Sequence, residues 1–418
     1  MEDRGPVDGS AVRGRGAGFR GVVASYRVAM MVTRVATWRG EPADAYERWA
    51  GREARAAEEL DVALERAAVE ISGGGGDLAA RLAAIDLPAA VPLAGARAPA
   101  SILSTPVRQP ARAKSAAQRD RENRARLAAD LLALRGKRRS RGEDARLRTL
   151  DTIDARLREL GRGGETVQLV EYDPDAFGGD GAVVVSLGDL DTARNIGVVV
   201  PGMGTTAASI TAVTRSAANL QGAARHADPM APTATLAWIG YDAPSGRMSA
   251  AQVLTGDHAR RGAAELRADL ADLARMRPDD PRVVLFGHSY GATTVATAGA
   301  DGALAGVVDA VVLLGSPGAG PVRSAAELGV PVHVARDSDD PIPRVAATDG
   351  AGQALRRLLG VELGLGTDPA AASFGALPID AEGATPLGPA AHSGYFDEGS
   401  RALGTFAEIL TGRGGHGR

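Results

Sequence analysis

Apolar residues recur along this chain in two rhythms, and the change between them divides it. In Val22–Trp38 and again from Glu41 to about Ile71 the helical rhythm holds. In the second stretch Tyr46, Ala50, Ala54, Ala57, Leu60, Leu64, Ala67 and Ile71 return every three or four residues as one stripe. That period predicts two helices. They are separated at Trp38-Arg39-Gly40, with Pro42 suited to the first turn of the second helix and Gly73–Gly76 closing it. Residues 86–113 carry prolines at 88, 92, 99, 106 and 110 and read as a linker. Helical spacing returns over 114–160, in Leu127, Leu131 and Leu134 and then Leu147, Leu150, Ile153, Leu157 and Leu160, with Gly136–Gly142 between two helices.

After Gly163-Gly164 the rhythm changes. Short β-rich runs at 166–172, 182–187, 196–201, 234–239, 282–287, 307–314 and 330–335 alternate with helical stretches near 206–222, 258–276, 290–300 and 351–360; a last helix covers about 398–410. The unbroken apolar runs Ile196–Val200 and Val283–Phe286 suit strands covered on both faces of a parallel sheet. Alternating β and α elements imply a doubly wound α/β domain. The expected organisation is a disordered leader over 1–21, an all-α region over 22–163, an α/β domain over 164–411 and a tail over 412–418.

Composition narrows the chemistry. The chain of 418 residues has no cysteine, which excludes disulfides, thiol catalysis and cysteine metal sites. His226 and His258 lack metal-ligand spacing, so neither metal nor cofactor is expected. No apolar run approaches the ~18 residues of a membrane span. The first 21 residues lack the apolar core of a Sec-type signal, and the compartment stays open. A net charge of −3 shows no bias toward nucleic acid. The charge is uneven, with 17 Lys and Arg against 8 Asp and Glu between Arg108 and Arg162. This segment could meet an acidic surface, but a solvated, arginine-rich helical face is the favoured reading.

The chemistry concentrates in Arg282–Ala298, where an apolar run ends in Gly287-His288-Ser289-Tyr290-Gly291 and a small-residue helix follows. G-x-S-x-G between a strand and a helix is a nucleophile elbow, a sharp turn that exposes the serine hydroxyl. A serine needs a base, and the base needs an orienting acid. On such an elbow the partners follow in the order Ser, Asp/Glu, His. Of the later histidines, His333 lies inside an apolar strand and His416 in the tail. His392, just before the last helix, is the expected base. The acid is expected after the strand at 330–335, where Asp337, Asp339 and Asp340 lie. Asp340 is favoured for its place in the Asp340-Pro-Ile-Pro turn, a D-x-[IV]-P pattern; Asp337 is next. An oxyanion needs two backbone N–H groups. Tyr290 supplies one; the Pro201-Gly202-Met203-Gly204 turn after a buried strand supplies the other, from Met203 or alternatively Gly204. That turn lacks the G-K-[ST] ending of a P-loop and the full G-x-G-x-x-G. Gly202, His288, Tyr241 and Asp242 are candidates for the substrate pocket, with Tyr241 and Asp242 equally readable as packing and capping residues.

With these residues placed, about 165–411 resembles the α/β-hydrolase superfamily, and more narrowly a hydrolase domain common in high-GC Gram-positive bacteria. The resemblance rests on V-V-V-P-G-M-G-T-T, A-W-I-G-Y-D-A-P, F-G-H-S-Y-G-A-T-T, D-D-P-I-P and A-H-S-G-Y. It implies a serine hydrolase acting on a small-molecule or lipid ester through an acyl-enzyme. Acyl transfer on the same site, or an exported interaction protein with this domain as scaffold, are the alternatives. Separately, Trp38-Arg39-Gly40 resembles the W-x-G turn of helical-hairpin proteins, some exported by type VII secretion. That implies a helical partner or self-association. No tyrosine supplies the accompanying Y-x-x-x-[DE] signal; Tyr172 has Ala176 at that spacing.

Overall fold

The computed structural model describes residues 113–245, 256–340, 342–343, 365–382 and 389–413. The leader, the helices expected over 22–38, 41–71 and 351–360, and most of the 86–113 linker lie outside them. So does most of the tail.

The Val- and Leu-rich runs become strands of one eight-stranded sheet. They are β1 (Val167–Asp173), β2 (Ala182–Leu187), β3 (Asn195–Val200), β4 (Thr233–Ile239), β5 (Arg282–His288), β6 (Ala310–Leu314), β7 (Val332–Arg336) and β8 (Leu377–Asp380). Their order across the sheet is β1-β2-β4-β3-β5-β6-β7-β8. β2 runs antiparallel to both neighbours, and every pair from β4 to β8 is parallel. The periodicity did not announce β8. Its Leu377-Pro378-Ile379-Asp380 is short and mostly exposed, and it tolerates a proline because it is an edge strand.

Helices cover both faces, which is why β2, β3, β4 and β6 are buried along their whole length. The helices are α1 (Ala116–Arg135), α2 (Arg141–Gly161), α3 (Ile210–Ala227), α4 (Asp257–Met276), α5 (Tyr290–Gly299), the short α6 (Pro389–Ser393) and α7 (Arg401–Thr411). Alternate residues of β5 enter different cores: Val284 and Phe286 pack with α2, α3 and α7, whereas Val283 and Leu285 pack with α4 and α5.

The basic helices are part of this packing. Ser115 with Gln118, and Ser140 with Glu143, form capping boxes that start α1 and α2. Leu127, Leu131, Leu150, Ile153 and Leu157 enter the same apolar cluster as Leu169, Val185 and Phe286. The core therefore runs through the boundary expected at 163/164. Side chains of α1 also close the exposed edge of β1. The Asn123 amide donates to the Leu169 and Val170 carbonyls, Arg124 donates to the Val167 carbonyl, and the Asp120 carboxylate accepts the Leu169 N–H. Covering an edge in this way blocks strand addition. The local positive charge is largely paired: Arg119 with Asp272, Arg135 with Asp151, Arg139 with Asp144, Arg146 with Asp175 and Arg158 with Asp154. Among the described residues, no helix is long and apolar enough to cross a membrane, and no group of three acidic or histidine residues could hold a metal.

Leu150, at 0% exposure, tests whether α2 shares the cooperative core. Leu150→Ala should lower the unfolding free energy by roughly 2–5 kcal/mol in denaturant titration. A change near zero would mean that α2 lies outside the folding unit.

Candidate active site

Because β3, β5, β6 and β7 are parallel, their C-terminal ends share one edge of the sheet, where open α/β sheets bind ligands. The elbow stands at the centre of that edge. Ser289, at φ 56° and ψ −127°, caps α5 in a conformation rare for a residue with a side chain. Its N–H donates to the Leu314 carbonyl at the end of β6 (2.8 Å), and its carbonyl accepts the Ala292 N–H (2.9 Å). The flanking glycines are steric necessities. A Cβ on Gly287 would lie 2.7 Å from Ala292 Cα, and one on Gly291 would lie 2.5 Å from the Pro201 carbonyl oxygen.

The turn after β3 folds directly against the serine: a Cβ on Gly202 would fall 2.7 Å from Ser289 Cβ and 3.1 Å from its Oγ. Tyr241 holds this turn from beneath. Its ring stacks on Trp238 at 5.6 Å, and its buried hydroxyl donates to the Pro201 carbonyl at 2.7 Å. Tyr241 is thus a brace and not a wall of an open pocket. The Gly204 N–H already donates to the Pro244 carbonyl (2.8 Å). Among the described residues, the N–H groups of Met203 and Tyr290 meet no acceptor. For Tyr290 this is the ordinary condition of a first-turn N–H. Of the two candidate donors on the turn, geometry favours Met203. The Tyr290 side chain points the other way, its oxygen accepting the Ala259 N–H at 3.0 Å. Asp242 is engaged with α4, its carboxylate 3.3 Å from His258 Nδ1.

Asp340 and His392, 52 residues apart in sequence, meet beside Gly315: His392 Nδ1 lies 2.8 Å from Asp340 Oδ2. Asp340 is fully buried. Burial alone would raise its pKa, but hydrogen bonds and charge interaction with His392, and hydrogen bonds from the Tyr395 hydroxyl (2.7 Å) and the Ile342 N–H (2.9 Å), outweigh it. The carboxyl is held below its ordinary range. The neighbouring Asp337 does other work, its Oδ1 accepting the Asp339 N–H in its own turn (2.8 Å). Gly315, at φ 51°, leaves the room these groups need; a Cβ there would come within 2.7 Å of Asp340 Oδ2. The Ser289 hydroxyl makes no hydrogen bond within the described residues. Such contacts often lengthen in ligand-free enzymes and tighten in the substrate complex.

Three contributions were not assigned from sequence. The Tyr395 hydroxyl bridges the Asp340 carboxylate and the Asp337 N–H (3.1 Å). Phe396 packs between Phe286 and Phe406, with ring centroids at 6.3 and 5.7 Å, and its carbonyl accepts from Asn219 of α3. His288, expected at the pocket, turns toward His392, its Nε2 lying 2.6 Å from the His392 carbonyl oxygen. Tyr395 stood in the A-H-S-G-Y motif, but the sequence held no signal of what its hydroxyl touches.

Burial, reinforced by the positive charge His392 can carry, pushes His288 down to about 4 from an ordinary 6.5. The unfolded chain therefore binds this proton first as pH falls, and stability is lost between pH 6.5 and 4. Glu171, pushed up to about 7 by burial and by Asp269, acts with the opposite sign over much of that window. The readout is the difference between proteins. The loss of unfolding free energy from pH 6.5 to 4 should be smaller in His288→Gln than in wild type, measured by denaturant titration at each pH. Equal losses would contradict a half-buried His288 held neutral.

The family comparison agrees with this architecture. Residues 175–349 match the family model described as Alpha/beta hydrolase. An uncharacterized protein of Mycobacterium tuberculosis is 37% identical over 296 residues, covering 66% of this chain and 44% of that protein. An uncharacterized protein of Mycobacterium bovis is 35% identical over 154 residues, covering 35% of this chain and 55% of that one. The chain thus spans about half the length of these relatives. Among solved structures, an esterase of Pyrobaculum calidifontis aligns with 15% identity and a TM-score of 0.34, over 63% of this chain and 91% of its own. Esterase LipW from Mycobacterium marinum aligns with 13% identity and a TM-score of 0.36, over 64% and 87%. The family match falls across the centre of this eight-stranded, mostly parallel sheet, and the domain has the alpha/beta-hydrolase fold.

Proposed function

We propose that the domain is a serine hydrolase that cleaves carboxylic esters through a Ser289–His392–Asp340 triad. The observation that carries this reading is the 2.8 Å contact between His392 Nδ1 and the buried Asp340, on the same sheet edge as the elbow serine. Asp340 accepts the Nδ1–H and leaves Nε2 as the basic nitrogen. Ser289 Oγ attacks the ester carbonyl carbon while Nε2 takes the hydroxyl proton. The carbonyl π electrons move to oxygen, and the Met203 and Tyr290 N–H groups receive that oxyanion. Collapse expels the alkoxide, which leaves as the alcohol with the proton from Nε2. Water then attacks the acyl-enzyme and gives a proton to Nε2; collapse breaks the acyl–Oγ bond, Nε2 returns that proton to Ser289 Oγ, and the acid leaves. No metal or cofactor takes part in these steps. Small-molecule or lipid esters are the substrate class.

A screen of p-nitrophenyl esters of increasing acyl length tests the reading. Wild type should turn over at least part of the series, and Ser289→Ala should not. Asp340→Asn should lose kcat on the order of 10³–10⁴, because an amide holds the wrong tautomer of the base. Activity that survives Ser289→Ala would overturn the proposal. Tyr395→Phe should lose far less than Asp340→Asn, since Asp340 keeps its bonds from His392 and Ile342.

A further inference from the structure

His392 sits near the end of α6, a helix of five residues, where the last carbonyls have no partner within the helix. The His392 carbonyl finds one across the site, in His288 Nε2 at 2.6 Å. A carbonyl only accepts, so Nε2 must carry the proton and His288 is the Nε2–H tautomer. The rings lie 4.8 Å apart between centroids, inclined by 37°. Burial keeps His288 neutral at ordinary pH, so it places no second positive charge beside an imidazole that must accept a proton. His288 is also the residue immediately before Ser289. The hydrogen bond therefore ties the backbone of His392 to the strand that leads into Ser289.

We propose that His288 is a positioning residue for the reaction assigned above, fixing His392 relative to Ser289 through the His392 carbonyl. The inference rests on the hydrolase reading and goes beyond it. It replaces the expectation that His288 lines the substrate pocket. A substrate-lining residue would act mainly on KM. A residue that only packs would act on stability. A positioning residue acts on kcat and on the reactivity of Ser289, because misplacement of about 1 Å can cost on the order of 10²-fold in rate.

Three substitutions separate these roles. His288→Gln puts an amide N–H at the reach of Nε2; His288→Asn carries the same group one methylene short; His288→Phe keeps the ring shape without a donor. Each is assayed for kcat, KM, melting temperature and the rate at which a fluorophosphonate labels Ser289. The Asn and Phe variants should lose about tenfold or more in kcat and in labelling rate with KM unchanged, whereas Gln recovers to within about threefold of wild type. The proposal falls if Asn and Phe keep the wild-type kcat, if Gln falls as far as Asn, or if the loss is in KM. Should Phe fail to fold, the comparison of Gln with Asn decides alone. A wild type that neither turns over esters nor takes the label overturns the hydrolase reading and this proposal with it. An active wild type with an equally active Asn variant overturns only the role of His288.

Discussion

The site depends on one backbone constraint, the left-handed conformation of Ser289 at φ 56°. Such a residue costs on the order of 1–3 kcal/mol and persists only where its surroundings over-determine it. Here they do. The Ser289 N–H is held by the end of β6, and the flanking glycines let α5 and the turn after β3 close to backbone contact. Relaxing the serine would separate three elements at once. The strain is borne by the packing of the sheet, and it leaves a hydroxyl at the head of a helix beside two N–H groups that meet no acceptor among the described residues.

The opposite side of the site is built by the core. Phe286 of β5, Phe396 after α6 and Phe406 of α7 pack with centroids 5.7–6.3 Å apart. This cluster sets the segment that carries His392. From it, Tyr395 reaches back to Asp340, and His288, two residues beyond Phe286, reaches across to the His392 carbonyl. Strand β5 therefore leads into Ser289 at its tip and meets the His392 segment by two routes, an apolar one through Phe396 and a polar one through the His392 carbonyl.

Much of this was legible in the sequence. The strands on both flanks of the elbow announced themselves as unbroken Val and Leu runs, because burial on both faces leaves no polar alternation. Ser289, Asp340 and His392 were named as candidates from the elbow and the order of partners it imposes, and of Asp340 and Asp337 it is Asp340 that His392 meets. Other features were hidden for physical reasons. β8 is too short and too polar for periodicity to register. The edge-capping by Asp120, Asn123 and Arg124 reads in sequence only as polar residues on a basic helix. The boundary drawn at Gly163-Gly164 marked a true change of rhythm, but rhythm reports local structure and says nothing of which faces share a core. The roles of Tyr395 and His288 are contacts across 55 and 104 residues, one of them to a backbone carbonyl, and no side-chain pattern encodes that.

The most direct test of the account is to treat the full chain with a fluorophosphonate and locate the adduct by peptide mass spectrometry. The account predicts one adduct per chain, on Ser289, lost in Ser289→Ala. No adduct, or an adduct on a different residue, would contradict it.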